Sequence, residues 1–211
     1  MIRGVFVTGT DTDVGKTVVS ALIARGLRAR GVAVSALKPF ATGAPGPGAD
    51  ALLLGEAAGH EARVFQSFPT PAAPERAARE AGSVVDVGGA IRWVLDQPGT
   101  LVVEGVGGFE VPLDAAHRVS DFARALALPV VVVARNRLGA LSHTLLTVDA
   151  VARAGLTVHA VVLNDAADSG PLLDWNAEDL GHRVPNLTRL GSVTPVTADR
   201  NAALLVSRLF D

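Results

Sequence analysis

Gly9-Thr10-Asp11-Thr12-Asp13-Val14-Gly15-Lys16-Thr17 is the stretch that decides how this chain folds. It follows an apolar run, Gly4–Thr8, that reads as a strand. It opens Lys16–Arg30, which reads as a helix stopped by Gly31. Between a strand and a helix, such a loop presents backbone N–H groups to anionic oxygens. Its glycines let the backbone approach closely, and the helix N-terminus behind it favours negative charge. Lys16 is placed to reach the outer phosphates of a nucleoside triphosphate, and the Thr17 hydroxyl to meet Mg²⁺. The spacing is unusual. Five residues separate Gly9 from Gly15, where the common pattern has four, and Thr10 stands at a position usually held by glycine.

Outward from this loop, short apolar runs alternate with amphipathic stretches. Val32–Leu37 is predicted as a second strand. The Gly43–Gly48 segment, rich in Gly and Pro, is predicted as a mobile loop, with Asp50 capping a helix that runs to about Ala58. Residues 60–84 read as loop with a short helix near Glu75–Glu80. Val87–Asp96 is predicted helical, Thr100–Glu104 a strand, and Val130–Ala134 a strand covered on both faces. Leu141–Arg153 reads as a helix closed by Gly155 and Thr157–Leu163 as a strand. A short helix near Leu172–Leu180, a weak strand near Leu187–Leu190 and a final helix Ala198–Phe210 complete the chain. This alternation predicts one α/β domain over residues 1–211, with a mostly parallel sheet and helices on both faces.

The basic residues are unevenly chosen. Of nineteen, only Lys16 and Lys38 are lysine. An ammonium is a compact point charge on a flexible stem, able to follow a moving phosphoryl group as a planar guanidinium cannot. Lys38 opens Lys38-Pro39-Phe40-Ala41-Thr42-Gly43 and is a candidate catalytic group beside Lys16. Two acids complement them. Glu104 ends the apolar run Leu101-Val102-Val103 and precedes Gly105-Val106-Gly107-Gly108, placing a carboxylate at the ligand-binding end of a strand. Asp50 is a second candidate for Mg²⁺, although Asp at a helix start also serves as a purely structural cap.

Composition limits the alternatives. A formal net charge of -2 provides no basic field for nucleic acid. No apolar run approaches the length of a membrane span. The chain enters a strand-like segment by Val5 with no separate apolar h-region, so a signal peptide is not expected. Zero cysteines exclude disulfides and thiolate chemistry and are compatible with the cytoplasm, the expected location. The five histidines form no ligand spacing, and Trp93 and Trp175 read as packing residues.

These segments resemble the dethiobiotin synthetase family. The resemblance rests on Phe6–Thr17, Lys38–Gly43, Asp50-Ala51-Leu52, Val103–Gly108 and Val111-Pro112-Leu113. It extends to Leu138-Gly139, His143–Thr147 and Val162–Asp165. The long-spaced loop is this family's own variant. The resemblance implies a P-loop NTPase-like fold and an ATP- and Mg²⁺-dependent ring closure of 7,8-diaminononanoate with CO₂. It implies catalytic lysines at Lys38 and Lys16, and metal binding by Thr17, Asp50 and Glu104. Nucleotide contacts are implied from Asp13, Val14, Gly15, Lys16, Thr17 and Val18, from Asp50, from Glu104, Gly105, Val106 and Gly107, and from Asn164 and Asp165 as the adenine-reading pair. Thr12 and Thr42 are implied to touch the diamine, and the family is a homodimer with its site near the subunit interface. This chain departs from the family habit at Glu75 (often His), Ser142 (often Asn) and Val106 (often Ala).

The residues speak against two of three other readings. An amidotransferase-type synthetase would need a glutaminase domain or partner, and this chain has no cysteine to run one. A switch ATPase of the partitioning type carries a further lysine five residues before the Gly-Lys lysine, where this chain has Asp11. A small-molecule kinase would release phosphorylated substrate rather than free phosphate.

Overall fold

Among the described residues, seven parallel strands in the order β3-β2-β4-β1-β5-β6-β7 form one sheet. The computed structural model describes residues 3–166 and 168–211. In chain order the elements are β1 (Gly4–Gly9), α1 (Lys16–Ala29), β2 (Val34–Thr42), α2 (Gly48–Ala58), β3 (Val64–Phe68), α3 (Pro74–Glu80), α4 (Val87–Leu95) and β4 (Thr100–Gly108). They continue with α5 (Val119–Leu126), β5 (Val130–Arg135), α6 (Ala140–Arg153), β6 (Val158–Asn164), α7 (Pro171–Gly181), β7 (Leu187–Leu190) and α8 (Ala198–Phe210).

The two-residue side-chain period of a strand divides the core into two halves. Phe6, Leu37, Leu101, Val103, Val130 and Val132 face one side, where they meet Ala77, Ala90, Phe122 and Val151 of α3–α6. Val5, Val7, Ala36, Val102, Val131 and Val133 face the other, against Ile23, Leu54 and Leu205 of α1, α2 and α8. Both faces being covered, the four successive valines of β5 are all fully buried.

Several elements differ from the sequence expectation. β3 was expected to be loop. It is a five-residue edge strand, and all but Phe68 of its residues are only half-buried, so its apolar signal is weak. α5 was not foreseen. Phe122, Ala123 and Leu126 bury its inner stripe, and Asp121 accepts the Arg118 N–H at its start. β2 runs five residues beyond the expected Leu37, to Thr42, despite Pro39. Asp50 does not cap α2. The helix begins at Gly48 after Pro47, and Asp50 sits in its first turn with its carboxylate turned to a buried ammonium.

Pro39 explains how β2 and β4 part. The two strands stay in register from Val34↔Thr100 to Leu37↔Val103 and then separate. Lys38 donates its N–H to Arg63 O at 3.0 Å, on the β3 side. Successive amides alternate sides, so the missing donor of Pro39 falls on the β4 side, where the ladder has already ended. β4 bulges at the same level. Its register against β1 jumps from Val7↔Glu104 to Gly9↔Gly108, and Gly107 takes φ 62°. The Gly105–Gly108 run is therefore an irregular continuation of β4 rather than a loop after it. The split and the bulge open a crevice at the carboxyl ends of β1, β2 and β4.

Candidate active site

The loop after β1 and the crevice between β2 and β4 share one cleft of about 800 Å³. Its lining includes Thr12, Asp13, Gly15, Lys16, Thr17 and Val18 from the loop and α1. Lys38, Thr42 and Asp50 line it from the β2 side, and Glu104, Val106 and Gly107 from β4. Pro71–Pro74 and Val111, for which no site role was expected, complete the wall. Two residues with expected roles lie behind it. Val14 is buried, and the Gly105 carbonyl accepts a hydrogen bond from Lys38 Nζ at 3.2 Å.

At the centre, Lys38 Nζ lies 2.5 Å from Glu104 Oε1 and 3.1 Å from Asp50 Oδ2. Lys38 and Glu104 are almost wholly buried, whereas the Asp50 side chain is half exposed. Thr17 Oγ1 donates to the same Glu104 oxygen at 2.9 Å. Burial by itself would lower the Lys38 pKa. The charges of Glu104 and Asp50, and the hydrogen bonds to them, outweigh burial and hold the ammonium above the ordinary lysine value. Burial would likewise raise Asp50, but the charge of Lys38 and hydrogen bonds to Lys38 and Thr17 hold it below the usual carboxylate range.

Lys16 is set differently. Its ammonium is buried and folds back onto the carbonyl of Asp11 at 2.8 Å. Burial, then repulsion from Lys38, brings its pKa from 10.5 down to about 8, against the opposing pull of Glu104, Asp50 and Asp13. Both lysines line the same cleft.

The donor set suits a hard divalent cation. Glu104 Oε2 is buried and has no hydrogen-bond partner among the described residues, while a hydroxyl and a second carboxylate stand beside it. Mg²⁺ takes oxygen ligands, few of them carboxylates, and keeps several waters. Among the described residues no cluster of three or more His, Cys, Asp or Glu offers an all-protein cage.

Asn164 and Asp165 lie outside the cleft lining, at the end of β6. Asn164 Nδ2 donates to Val14 O at 3.0 Å. Asp165 is held on both oxygens, by Asn136 Nδ2 at 2.6 Å and Arg189 Nε at 2.6 Å. Asn136 is fully buried and accepts from Asn176 Nδ2 at 2.9 Å. Asn136, Asn176 and Arg189 escaped the sequence reading. The position of Asn136 was a usable signal, since a polar residue just past a β-branched strand sits where open sheets bind ligands.

A protein-family model described as an AAA domain matches residues 3–200. The protein named ATP-dependent dethiobiotin synthetase BioD of Anaeromyxobacter dehalogenans strain 2CP-C is 42% identical over 196 residues. That match takes in 87% of this chain and 88% of the relative. Its namesake in Anaeromyxobacter sp. strain K is 43% identical over 196 residues, with the same coverage. This chain belongs to the dethiobiotin synthetase family. As a dethiobiotin synthetase family member it shares its fold with distant nucleotide-binding proteins. The signal recognition particle receptor FtsY of Elizabethkingia anophelis superposes with a TM-score of 0.54 at 13% identity. That superposition covers 98% of this chain, which spans only 65% of the receptor's length. A nucleotide-binding protein from Archaeoglobus fulgidus in complex with ADP gives a TM-score of 0.50 at 11% identity, over 100% of this chain and 89% of the other. At such identities the likeness shows the P-loop NTPase-like architecture alone.

Proposed function

We propose that this protein carboxylates 7,8-diaminononanoate with CO₂ and closes the ureido ring at the expense of ATP, giving dethiobiotin, ADP and phosphate in biotin biosynthesis. The observation that carries this reading is the convergence of Lys16, Lys38, Glu104 and Asp50 in one cleft headed by the phosphate loop. Family membership supplies the reaction.

One amine of the substrate adds CO₂ to form a carbamate, a poor electrophile. Transfer of the γ-phosphoryl group to a carbamate oxygen makes a mixed anhydride. The second amine then attacks the carbonyl carbon, the ring closes, and phosphate leaves with its bonding pair. Little covalent work falls to the protein, so positioning and charge neutralisation dominate. Lys16 and Lys38 offset the negative charges of carbamate and triphosphate, which otherwise repel each other. Val14, Gly15 and the neighbouring loop residues hold the phosphates, with Asn164 and Asp165 on the base side. Thr12 and Thr42, which line the cleft, orient the diamine. Thr17, Asp50 and Glu104 would hold Mg²⁺, which when bound neutralises phosphate charge during transfer.

We place this activity in a cytoplasmic homodimer. Among the described residues no helix is long and apolar enough to cross a membrane. The exposed Leu138 and Leu146 border the Thr12 side of the loop and would be covered by a second subunit. Incorporation of labelled bicarbonate into an acid-stable product tests the reaction. Uptake should require ATP and the diamine together. Phosphorylated diamine without label would replace this reading by a kinase, and ATP turnover indifferent to the diamine would replace it by a switch.

A further inference from the structure

Asn164 belongs to the base side of the proposed nucleotide site, yet its nearest structural work is on the phosphate loop. Its Nδ2 donates to the Val14 carbonyl at 3.0 Å, across 150 residues of sequence. The Val14–Gly15 peptide is planar and trans, so its C=O and N–H point in opposite directions. Holding the Val14 carbonyl away from the cleft therefore turns the Gly15 N–H toward it. Gly15 lines the cleft at the N-terminus of α1, where such an N–H meets phosphate oxygens. The fit is close. Gly15 has φ 100°, and a Cβ there would come within 2.2 Å of Asn164 Nδ2.

Asn164 is itself braced. Its Oδ1 accepts from Ala166 N at 3.1 Å, and its backbone carbonyl accepts from Asn136 N at 2.8 Å. Asn136 also grips the Asp165 carboxylate, so the end of β6 is held by a buried polar network. A primary amide has two donor hydrogens and two acceptor lone pairs. One donor goes to Val14 and one lone pair to Ala166. One of each remains, the complement of an amino group beside a ring nitrogen.

We propose that Asn164 is a positioning residue for the phosphates, orienting the Gly15 N–H through the Val14 carbonyl and so coupling the base to the phosphate loop through one amide. This deepens the nucleotide-site reading and rests on it. The consequence is that a triphosphate with no base must also depend on Asn164.

Inorganic tripolyphosphate is the probe that separates this role from base reading. Its affinity, with Mg²⁺, is to be measured by titration calorimetry for the wild type, the isosteric Asn164→Asp and Asn164→Ala. Both variants should weaken tripolyphosphate at least about tenfold and shift the Gly15 amide resonance, while keeping wild-type circular dichroism. A tripolyphosphate affinity within twofold of wild type in the folded variants, with only ATP weakened, would reduce Asn164 to a base reader and overturn the proposal. Failure of both variants to fold would also overturn it, since the residue would then serve the fold at large. If the wild type itself ignored tripolyphosphate, the phosphate-loop reading would fall as well, an outcome distinct from any difference between variants.

Discussion

Lys38 Nζ stands 2.5 Å from Glu104 Oε1, joining the first residues of β2 and β4 beyond the point where those strands stop pairing. The strand split places a buried cation opposite a buried anion, and the second Glu104 oxygen has no hydrogen-bond partner among the described residues. A pair this deeply buried is poor evidence of stabilisation, because desolvation offsets much of the attraction. It is better understood as a charge arrangement held ready for ligands.

Lys38→Gln should keep the fold and ATP binding while turnover falls by about 10²–10³, near 3–4 kcal/mol of barrier, by analogy with loss of a preorganised donor. Steady-state kinetics with the diamine, beside calorimetric ATP binding, checks this. Near-normal turnover would remove Lys38 from the mechanism.

Glu104→Ala leaves the Lys38 ammonium buried with the Gly105 carbonyl and the half-exposed carboxylate of Asp50 as partners. Chemical denaturation should show a loss of about 3 kcal/mol, typical of breaking a buried pair from one side. The double variant Lys38→Met/Glu104→Leu should regain most of it, since the buried pair is then removed whole and the half-exposed Asp50 is left to water. Both proteins should lose high-affinity Mn²⁺ binding, and chelation of divalent metal should abolish turnover of the wild type.

Lys16 predicts two opposite pH trends. Its folded pKa is depressed to about 8. Between that value and the ordinary lysine range, the unfolded chain binds more protons than the folded one. The stability of the ligand-free protein should therefore rise with pH across that window. Polyanion binding needs the charged form, so tripolyphosphate affinity should fall as pH passes 8, with proton uptake on binding. Calorimetry near pH 8.5 in two buffers of different ionisation heat would detect that uptake. A flat affinity from pH 7 to 9.5 contradicts the assignment.

His60 closes a gap in the sheet. Its Nε2 accepts the N–H of Ala36 at 3.1 Å, on the β2 edge before β3 begins at Val64. Nδ1, 2.7 Å from Glu61 O, must then carry the proton. His60→Ala strands a donor on a fully buried residue and should cost about 1–3 kcal/mol in urea unfolding. Catalytic constants should stay within a few fold, because His60 is absent from the cleft lining.

The chain by itself disclosed the phosphate loop, the strand–helix alternation, the two isolated lysines and the family. All of these are local signals, written in glycine placement, apolar period and residue choice. Element ends drifted at Thr42 and Gly108, because a proline or a glycine run reads as a terminator unless the neighbouring strands are known. β3 stayed hidden because partial burial leaves little hydrophobic contrast, whereas the buried stripe Val119, Phe122, Ala123 and Leu126 of α5 was a legible helical signal that went unread. Only the tertiary structure decided that Pro39 falls where β2 leaves β4, and that Asp50 answers Lys38 instead of capping α2. It alone brought Asn136 and Asn164 together behind the loop. These are contacts between residues far apart in the chain, and a buried polar group's partner is chosen by the fold that surrounds it.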